Sequence, residues 1–468
     1  MSHIQTDCLI IGTGLAGCSV AYELSKHGYD ILMITRAKQP EDSATLWAQG
    51  GIVFKNDLKD PEALGHDIFD AGGKIGNPKS IDILIREGPA LVKKVLIDEL
   101  QIAFDKNENG ELELTEEAAH SLPRILHFGD ATGEIIEKTF LNYLKEKPNI
   151  TILTSHTAID LLTLSHHSTN PADVYETSRC TGAYIYDHEN HQIKTILAKE
   201  TILATGGLGQ LYLHTTNPKG SRGDGLAMAY RTGARIMNLE YIQFHPTALY
   251  QKSNDRFLIS EAVRGEGAKI LNSSGETFMK RYDPRAELAP RDIVSRALHD
   301  EMLKEGSTCM YLDISHKDGN WIRSRFPSIY SKCLSLGIDM TKEPIPVVPA
   351  AHYSCGGVYV DDRGNTTVKN LKAVGEVSCT GIHGGNRLAS TSLLEDLVWG
   401  IRAGQDLGSK LSKKTYQMPN VLHWEAATEA VEKELLAQDW MTIKHTMWNY
   451  VGLIRTPKRL ERAQRILR

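Results

Sequence analysis

The first 35 residues pair short, unbroken apolar runs with one helical repeat. The run ending Cys8-Leu9-Ile10-Ile11 has no polar face, which is the pattern of a strand buried on both sides of a parallel sheet. Cys18 to His27 carries apolar or small residues at helical spacing and stops at Gly28. Tyr29 to Thr35 is a second apolar run. The spacing therefore predicts a strand over 7–11, a helix over 18–27 and a strand over 29–35. Downstream, Glu200 to Leu203 predicts a strand entering Ala204-Thr205-Gly206-Gly207, and Leu371 to Val374 predicts one entering Gly375-Glu376. An Ala-rich helix over 226–232 follows Gly223-Asp224-Gly225, and a polar loop from Thr380 to Ser390 leads into a helix over 391–403. Beyond a linker at 409–419, Trp, Leu and Ile recur at helical spacing among many Lys, Arg and Glu, which predicts amphipathic helices from Val421 onward.

The glycines change the picture. Gly12-Thr13-Gly14-Leu15-Ala16-Gly17 lies between a predicted strand and a predicted helix, the context in which this spacing binds a dinucleotide. Gly12 permits the tight turn, Gly14 lets a pyrophosphate approach the backbone, and Gly17 lets helix and strand pack closely. The helix N-terminus then receives the phosphates. The acidic residue that often ends the second strand is replaced by Thr35-Arg36. Nucleotide-domain features recur at 200–233 and 371–404, whereas 239–352 differs in composition, with clustered Arg, His and Pro. The expected fold is α/β with an α+β capping insert: a discontinuous Rossmann-like domain over 1–238 and 353–418, a capping domain over 239–352, and a C-terminal helical domain over 419–468.

Composition excludes several classes. The 468 residues carry a formal charge of −5, which offers no basic field for nucleic acid or an anionic membrane. No apolar run approaches the ~18 residues of a membrane span, and Met1 to Asp7 lacks the basic region of a signal peptide. The seven cysteines are scattered without any CxxC, as expected of free thiols in a reducing cytoplasm.

The candidate chemistry clusters in polar segments. Ser43 to Gly51 offers small residues and paired glycines suited to a flat ring. Gln243-Phe244-His245-Pro246-Thr247 presents an imidazole donor, and Pro349-Ala350-Ala351-His352 presents a second. Ser260-Glu261 followed by Arg264 reads, on spacing alone, as a surface charge cluster. Arg291 follows Pro290 at a helix start, where a surface arginine paired with Asp292 or Asp300 is the plainer expectation. Arg387 lies in the polar loop, and Ser390, Thr391 and Ser392 are placed to cap the next helix or meet a flavin carbonyl. Two or three histidines with two arginines are what a dicarboxylate pocket needs: guanidinium forks for carboxylates and imidazole donors for the remaining oxygens.

These motifs carry a resemblance. GTGLAG at 12–17, AQGG at 48–51, ATGG at 204–207, GDG at 223–225, QFHPT at 243–247, RGEGA at 264–268, LAPRDIVSR at 288–296, AHYSCGG at 351–357, GE at 375–376 and NRLAS–SLLE at 386–395 occur in order. They resemble the flavoprotein family of succinate dehydrogenase, fumarate reductase and the aspartate oxidases. Three features resemble the aspartate-oxidase branch. Ala44 stands where the dehydrogenases place the histidine that binds flavin covalently, which implies non-covalent FAD. The segment Thr115 to Ser121 followed by Arg124-Ile125-Leu126-His127 matches the branch, whose glutamate at the position of Glu117 meets the substrate ammonium. Met447 to Thr456 resembles its helical C-terminal domain.

The resemblance implies oxidation of L-aspartate to iminoaspartate, with O2 or fumarate as acceptor and quinolinate synthase as pathway partner in NAD biosynthesis. It assigns Arg387 and His352 to one substrate carboxylate and His245 and Ser260 to the other end. Arg291 is implied as proton donor or acceptor, and Gln243 and Glu261 as further substrate or proton-relay contacts. FAD is assigned to Gly12, Thr13, Gly14, Leu15, Ala16, Arg36, Ala44, Thr45, Leu46, Trp47, Ala48, Gln49, Gly50, Gly51, Asp224, Glu376, Ser392 and Leu393. Members of the branch continue past the point where this chain stops, so a short or truncated helical domain with an apolar face is expected. A soluble fumarate reductase or succinate dehydrogenase subunit, which shares nearly every motif, and a flavin-binding remnant without catalysis stay open as alternatives.

Overall fold

The computed structural model describes residues 3–54, 62–117, 119–251, 256–411, 418–425 and 431–468. Its main sheet is assembled from distant parts of the chain. In sequence order it contains β1 (Ile4–Ile11), β2 (Ile31–Ile34), β3 (Ile150–Leu153), β4 (His156–Thr163), β5 (Cys180–Asp187) and β6 (Gln192–Leu203), ordered β3-β2-β1-β6-β5-β4 in space. The strands β3, β2, β1 and β6 run parallel, while β5 and β4 run antiparallel. The short Leu371–Ala373 strand adds in parallel to the C-terminal end of β6, opposite Thr201–Leu203. The apolar run of β1 is explained by this position: Cys8, Leu9 and Ile10 are fully buried, with strands on both edges and helices over the faces.

Helix α1 (Leu15–Ser25) starts three residues before the predicted point, because Gly14 already serves as its N-cap. Helices α2 (Thr132–Lys145), α3 (Arg291–Glu305) and α4 (Ser392–Leu411) follow. The last of these overruns the predicted end by two turns. Gly400, Gly404 and Gly408 line one face of α4, and a Cβ at any of them would press on Ser19, Glu23 or His27 of the facing segment. The glycines let α1 and α4 approach closely, so burial against α1 outweighs their low helix propensity. The expected linker at 409–419 thus begins inside α4, and its residues 412–417 lie outside the described residues.

A second sheet lies between these segments. It comprises β7 (Ile242–Leu249), β8 (Lys269–Leu271), β9 (Met310–Asp313) and β10 (Ile345–Ser354), in the order β7-β10-β9-β8 and antiparallel throughout. With α3 it encloses its own apolar core, including Leu249, Ile259, Leu298, Leu312 and Val347. The C-terminal helices α5 (Lys433–Val451) and α6 (Pro457–Leu467) end the chain. Trp448 of α5 packs edge-on against His214 at 4.6 Å and against Phe244 of β7 at 6.0 Å. Leu435, Leu436, Leu460, Ile466 and Leu467 are exposed on these two helices. Among the described residues no helix is long and apolar enough to cross a membrane.

One buried acid marks the underside of the 43–46 loop. Glu137 of α2 is fully buried beneath this loop, where the Ser43 hydroxyl and the Leu46 amide only partly offset the loss of water. Burial pushes its pKa up to about 9. The folded state therefore keeps a proton that the unfolded chain releases above the ordinary carboxyl range. Stability from this group is complete below about pH 4.5 and falls as pH rises toward 9, by about 1.4 kcal/mol per pH unit. Thermal melts of the wild type between pH 5.5 and 8.5 are expected to fall more steeply than those of Glu137→Gln, which has no proton to lose. Parallel curves would refute the assignment.

Candidate active site

A cavity of about 340 Å³ runs from the β1–α1 turn to the edge of the second sheet. Its first half is backbone-rich. Gly12 has φ +120°, and a Cβ there would collide with the Ala204 carbonyl at the end of β6. Helix α1 has no side-chain cap and no acidic residue in its first turn, so its N-terminus is left for an anion. Thr45 Oγ1 accepts from Leu15 N at 3.0 Å and pins the 43–51 loop beside the turn. Arg36 Nη1 donates to Asp224 Oδ2 at 3.2 Å on the rim, where Arg222 also reaches Asp224. Farther in, burial pushes Glu376 up to about 7, and its Oε1 accepts from Ser354 N at 2.8 Å.

The other half is cationic and buried. Arg291 Nε donates to Glu261 Oε2 at 2.6 Å and its Nη1 to Gln243 Oε1 at 3.1 Å. Arg264 Nη2 donates to the second Glu261 oxygen at 2.7 Å, and its Nη1 reaches the Glu287 carbonyl. Burial raises the Glu261 pKa, but the two guanidinium groups outweigh it and hold the carboxyl below its ordinary range. His245 and His352 are pushed well below the usual imidazole value, first by burial and then by Arg291 and Arg387, so both are neutral at pH 7. His245 Nδ1 accepts from Thr247 N at 3.3 Å, which leaves the ring proton on Nε2. That nitrogen has no partner among the described residues. His352 Nδ1 is held 2.8 Å from Thr216 Oγ1. Glu117 accepts from Ser390 Oγ at 2.6 Å, and burial raises its pKa. A Cβ at Gly50 would collide with Glu117 Oε1, so this glycine leaves room for the carboxylate, while its neighbour Gly51 lets the loop press on Ile125 and Leu126.

Residues 7–393 match the FAD binding domain family. The chain is 44% identical over 463 residues to L-aspartate oxidase 1 of Ralstonia nicotianae, covering 98% of this chain and 85% of that one. It is 42% identical over 474 residues to L-aspartate oxidase of Pseudomonas aeruginosa, covering 100% and 86%. The chain belongs to the L-aspartate oxidase family. A solved structure of E. coli quinol fumarate reductase FrdA superposes with a TM-score of 0.84 at 25% identity, over 100% of this chain and 82% of that one. The family is an α/β flavoprotein family, and its cofactor is FAD.

The residues present fit that cofactor. A backbone cradle at Gly12–Ala16, an uncapped helix N-terminus and the buried carboxyl of Glu376 form one wall, and Ser392 and Leu393 close it. Buried polar atoms at Gln49 Oε1 and Thr205 Oγ1 have no partner among the described residues. The same cavity brings together Gly12, Thr13, Gly14, Leu15, Ala16, Arg36, Ala44, Thr45, Trp47, Ala48, Gln49, Gly50, Gly51 and Asp224 with Glu117, His245, Ser260, Glu261, Arg291, His352 and Arg387.

Two sequence-predicted residues stand off this wall. Leu46 does not line the cavity, and its backbone amide meets Glu137. Gln243 is 3% exposed and sits behind the wall, where it holds Arg291 and donates to the Arg387 carbonyl at 2.7 Å. The surface readings are also corrected. Glu261 and Arg264 are buried together, because tertiary packing covers the helix turn that carries them. Arg291 faces inward to Glu261, while Asp292 pairs with Arg296. Ser390 binds Glu117 rather than capping α4. Thr216, Thr247, Tyr353 and Glu395 were not legible as site residues: Thr216 lies in no motif, and the motifs that contain the other three do not show which residues they meet in space.

Proposed function

We propose that this chain oxidises L-aspartate to iminoaspartate, with FAD bound non-covalently and O2 or fumarate as final acceptor. The observation that carries this reading is Glu117, a carboxylate set among the cations of a dicarboxylate pocket. Such a group attracts an ammonium, and succinate offers it nothing to pair with. Ala44 offers no nucleophile for a flavin bond, which supports non-covalent binding. The fold supports a split FAD domain over 1–238 and 353–418, a capping domain over 239–352 and a helical domain over 419–468.

When bound, FAD supplies the two-electron oxidant. The protein's own residues do the rest. Arg387 and His352 hold one carboxylate, and His245 and Ser260 hold the other end. Neutral imidazoles donate through N–H without adding charge, so the arginines set the field. Glu117 binds the amino group and aligns the Cα–N bond. As C=N forms, Cα loses hydride and nitrogen loses a proton. Arg291 faces this centre, and Glu261 and Arg264 continue from it as a buried relay toward the Glu287 carbonyl. Gln243 keeps Arg291 aimed. The product, iminoaspartate, feeds quinolinate synthase on this reading.

Anaerobic titration of the purified holoenzyme tests it. L-Aspartate is expected to bleach the flavin absorbance, and succinate is not. Bleaching by succinate alone would transfer the chain to the succinate–fumarate group. Bleaching by neither would leave a flavin-binding protein without this activity.

A further inference from the structure

Arg387 is an unusual buried cation. It is 5% exposed, yet it forms no ion pair among the described residues. Its Nη1 donates to Ser392 Oγ at 3.1 Å, and its Nε has no partner. Arg291 adds like charge nearby, and burial pushes the Arg387 pKa down. A guanidinium taken out of water without a counter-ion is costly. Arg291 meets the same problem by direct pairing with Glu261, which occupies part of its fork.

Glu376 and Glu117 act on Arg387 from a distance, and a third carboxylate lies one ring away. Its guanidinium carbon sits 4.5 Å from the centroid of the Tyr353 ring. Tyr353 OH donates to Glu395 Oε2 at 3.0 Å. Glu395 is 2% exposed and also accepts from His383 Nε2 at 2.7 Å and from Thr380 Oγ1 at 2.6 Å. A phenol that donates to a carboxylate gains electron density in its ring, and an electron-rich face holds a cation more strongly. The negative charge of Glu395 thus acts on Arg387 through the ring, without touching it.

We propose that Tyr353 and Glu395 are positioning residues: together they steady Arg387 through the Tyr353 ring on the cavity wall while leaving its donors free for the substrate carboxylate. The inference rests on the proposed role of Arg387 in binding that carboxylate. A direct Glu–Arg pair would have to be broken for each substrate bound. The aromatic relay removes that competition and keeps the guanidinium plane fixed.

The test uses the flavin-loaded enzyme and two readouts. One is the Kd of succinate from its perturbation of the oxidised flavin spectrum. The other is the split between KM and kcat for L-aspartate. Tyr353→Phe keeps the ring and removes only the donor. It is expected to raise the succinate Kd and the aspartate KM about fivefold to twentyfold, with the loss falling on KM rather than kcat. Flavin content and Tm should match the wild type. Glu395→Gln should do the same, and the double variant should be no worse than either single one, because both cut one relay. Should Glu395→Gln fail to fold, Tyr353→Phe alone decides. An unchanged succinate Kd in Tyr353→Phe overturns the relay, as do additive effects in the double variant. Arg387→Lys separates the two levels: succinate binding that survives this change overturns the carboxylate site itself, and the relay with it.

Discussion

Arg291→Met is expected to lower kcat for L-aspartate oxidation about a thousandfold, with flavin content unchanged. The change removes a charge from the centre of the cavity and, on the role proposed for Arg291, a positioned proton-transfer group, whose contribution is typically about 10²–10⁴-fold. It also strips Glu261 of one of its two guanidinium partners, leaving Arg264 alone to neutralise a carboxylate that is 4% exposed. The flavin cradle at Gly12–Ala16 lies at the other end of the cavity, so cofactor retention should not follow the loss. Fumarate reduction by a reduced dye should fall in parallel, because both directions need the same charge and proton. Steady-state rates measured on both substrates check this. A kcat within tenfold of the wild type would remove Arg291 from the chemistry.

Glu117→Gln should instead divide the substrates. Its kcat/KM for L-aspartate is expected to drop about a hundredfold, in line with truncating one partner of a buried charge pair. Fumarate reduction should change by no more than a few-fold, since fumarate carries no amine. Glutamine keeps the shape that Gly50 accommodates and can still meet Ser390, so the comparison isolates charge. Equal losses on both substrates would show that Glu117 serves the common chemistry or the fold, and not the amino group.

How much of this was legible in the sequence depends on the distance between partners. The β1–turn–α1–β2 unit could be read because apolar run, glycines and helix are contiguous, whereas the register that sets Cys8 beside Ile31 came only with the structure. The Leu371–Ala373 strand was readable as a strand, but not as a neighbour of β6. The second sheet was opaque: β7 pairs with β10, about a hundred residues later, and His and Pro interrupt the alternation of both. In the site, chemical type and family resemblance flagged Arg291, His352, Arg387 and Glu117 one by one. Their mutual support was hidden. Thr216 meets His352 across 136 residues, and Ser390 meets Glu117 across 273. Glu261 and Arg264 misled for the opposite reason. An i,i+3 charge pair reads as a solvated helix face, and only tertiary burial makes it part of the interior.

The split sheet also sets a timetable for biosynthesis. β1 leaves the ribosome first, yet its neighbour β6 ends at Leu203, and the strand beyond that at Ala373. The helix that packs on α1 finishes only at Leu411. At about 5–20 residues per second, the nascent chain waits on the order of tens of seconds with the glycine-rich turn made but its partners not yet synthesised. Until then β1 and α1 have only the part of their native cover that β2 and α2 supply, and the rest is a surface on which a chaperone would act.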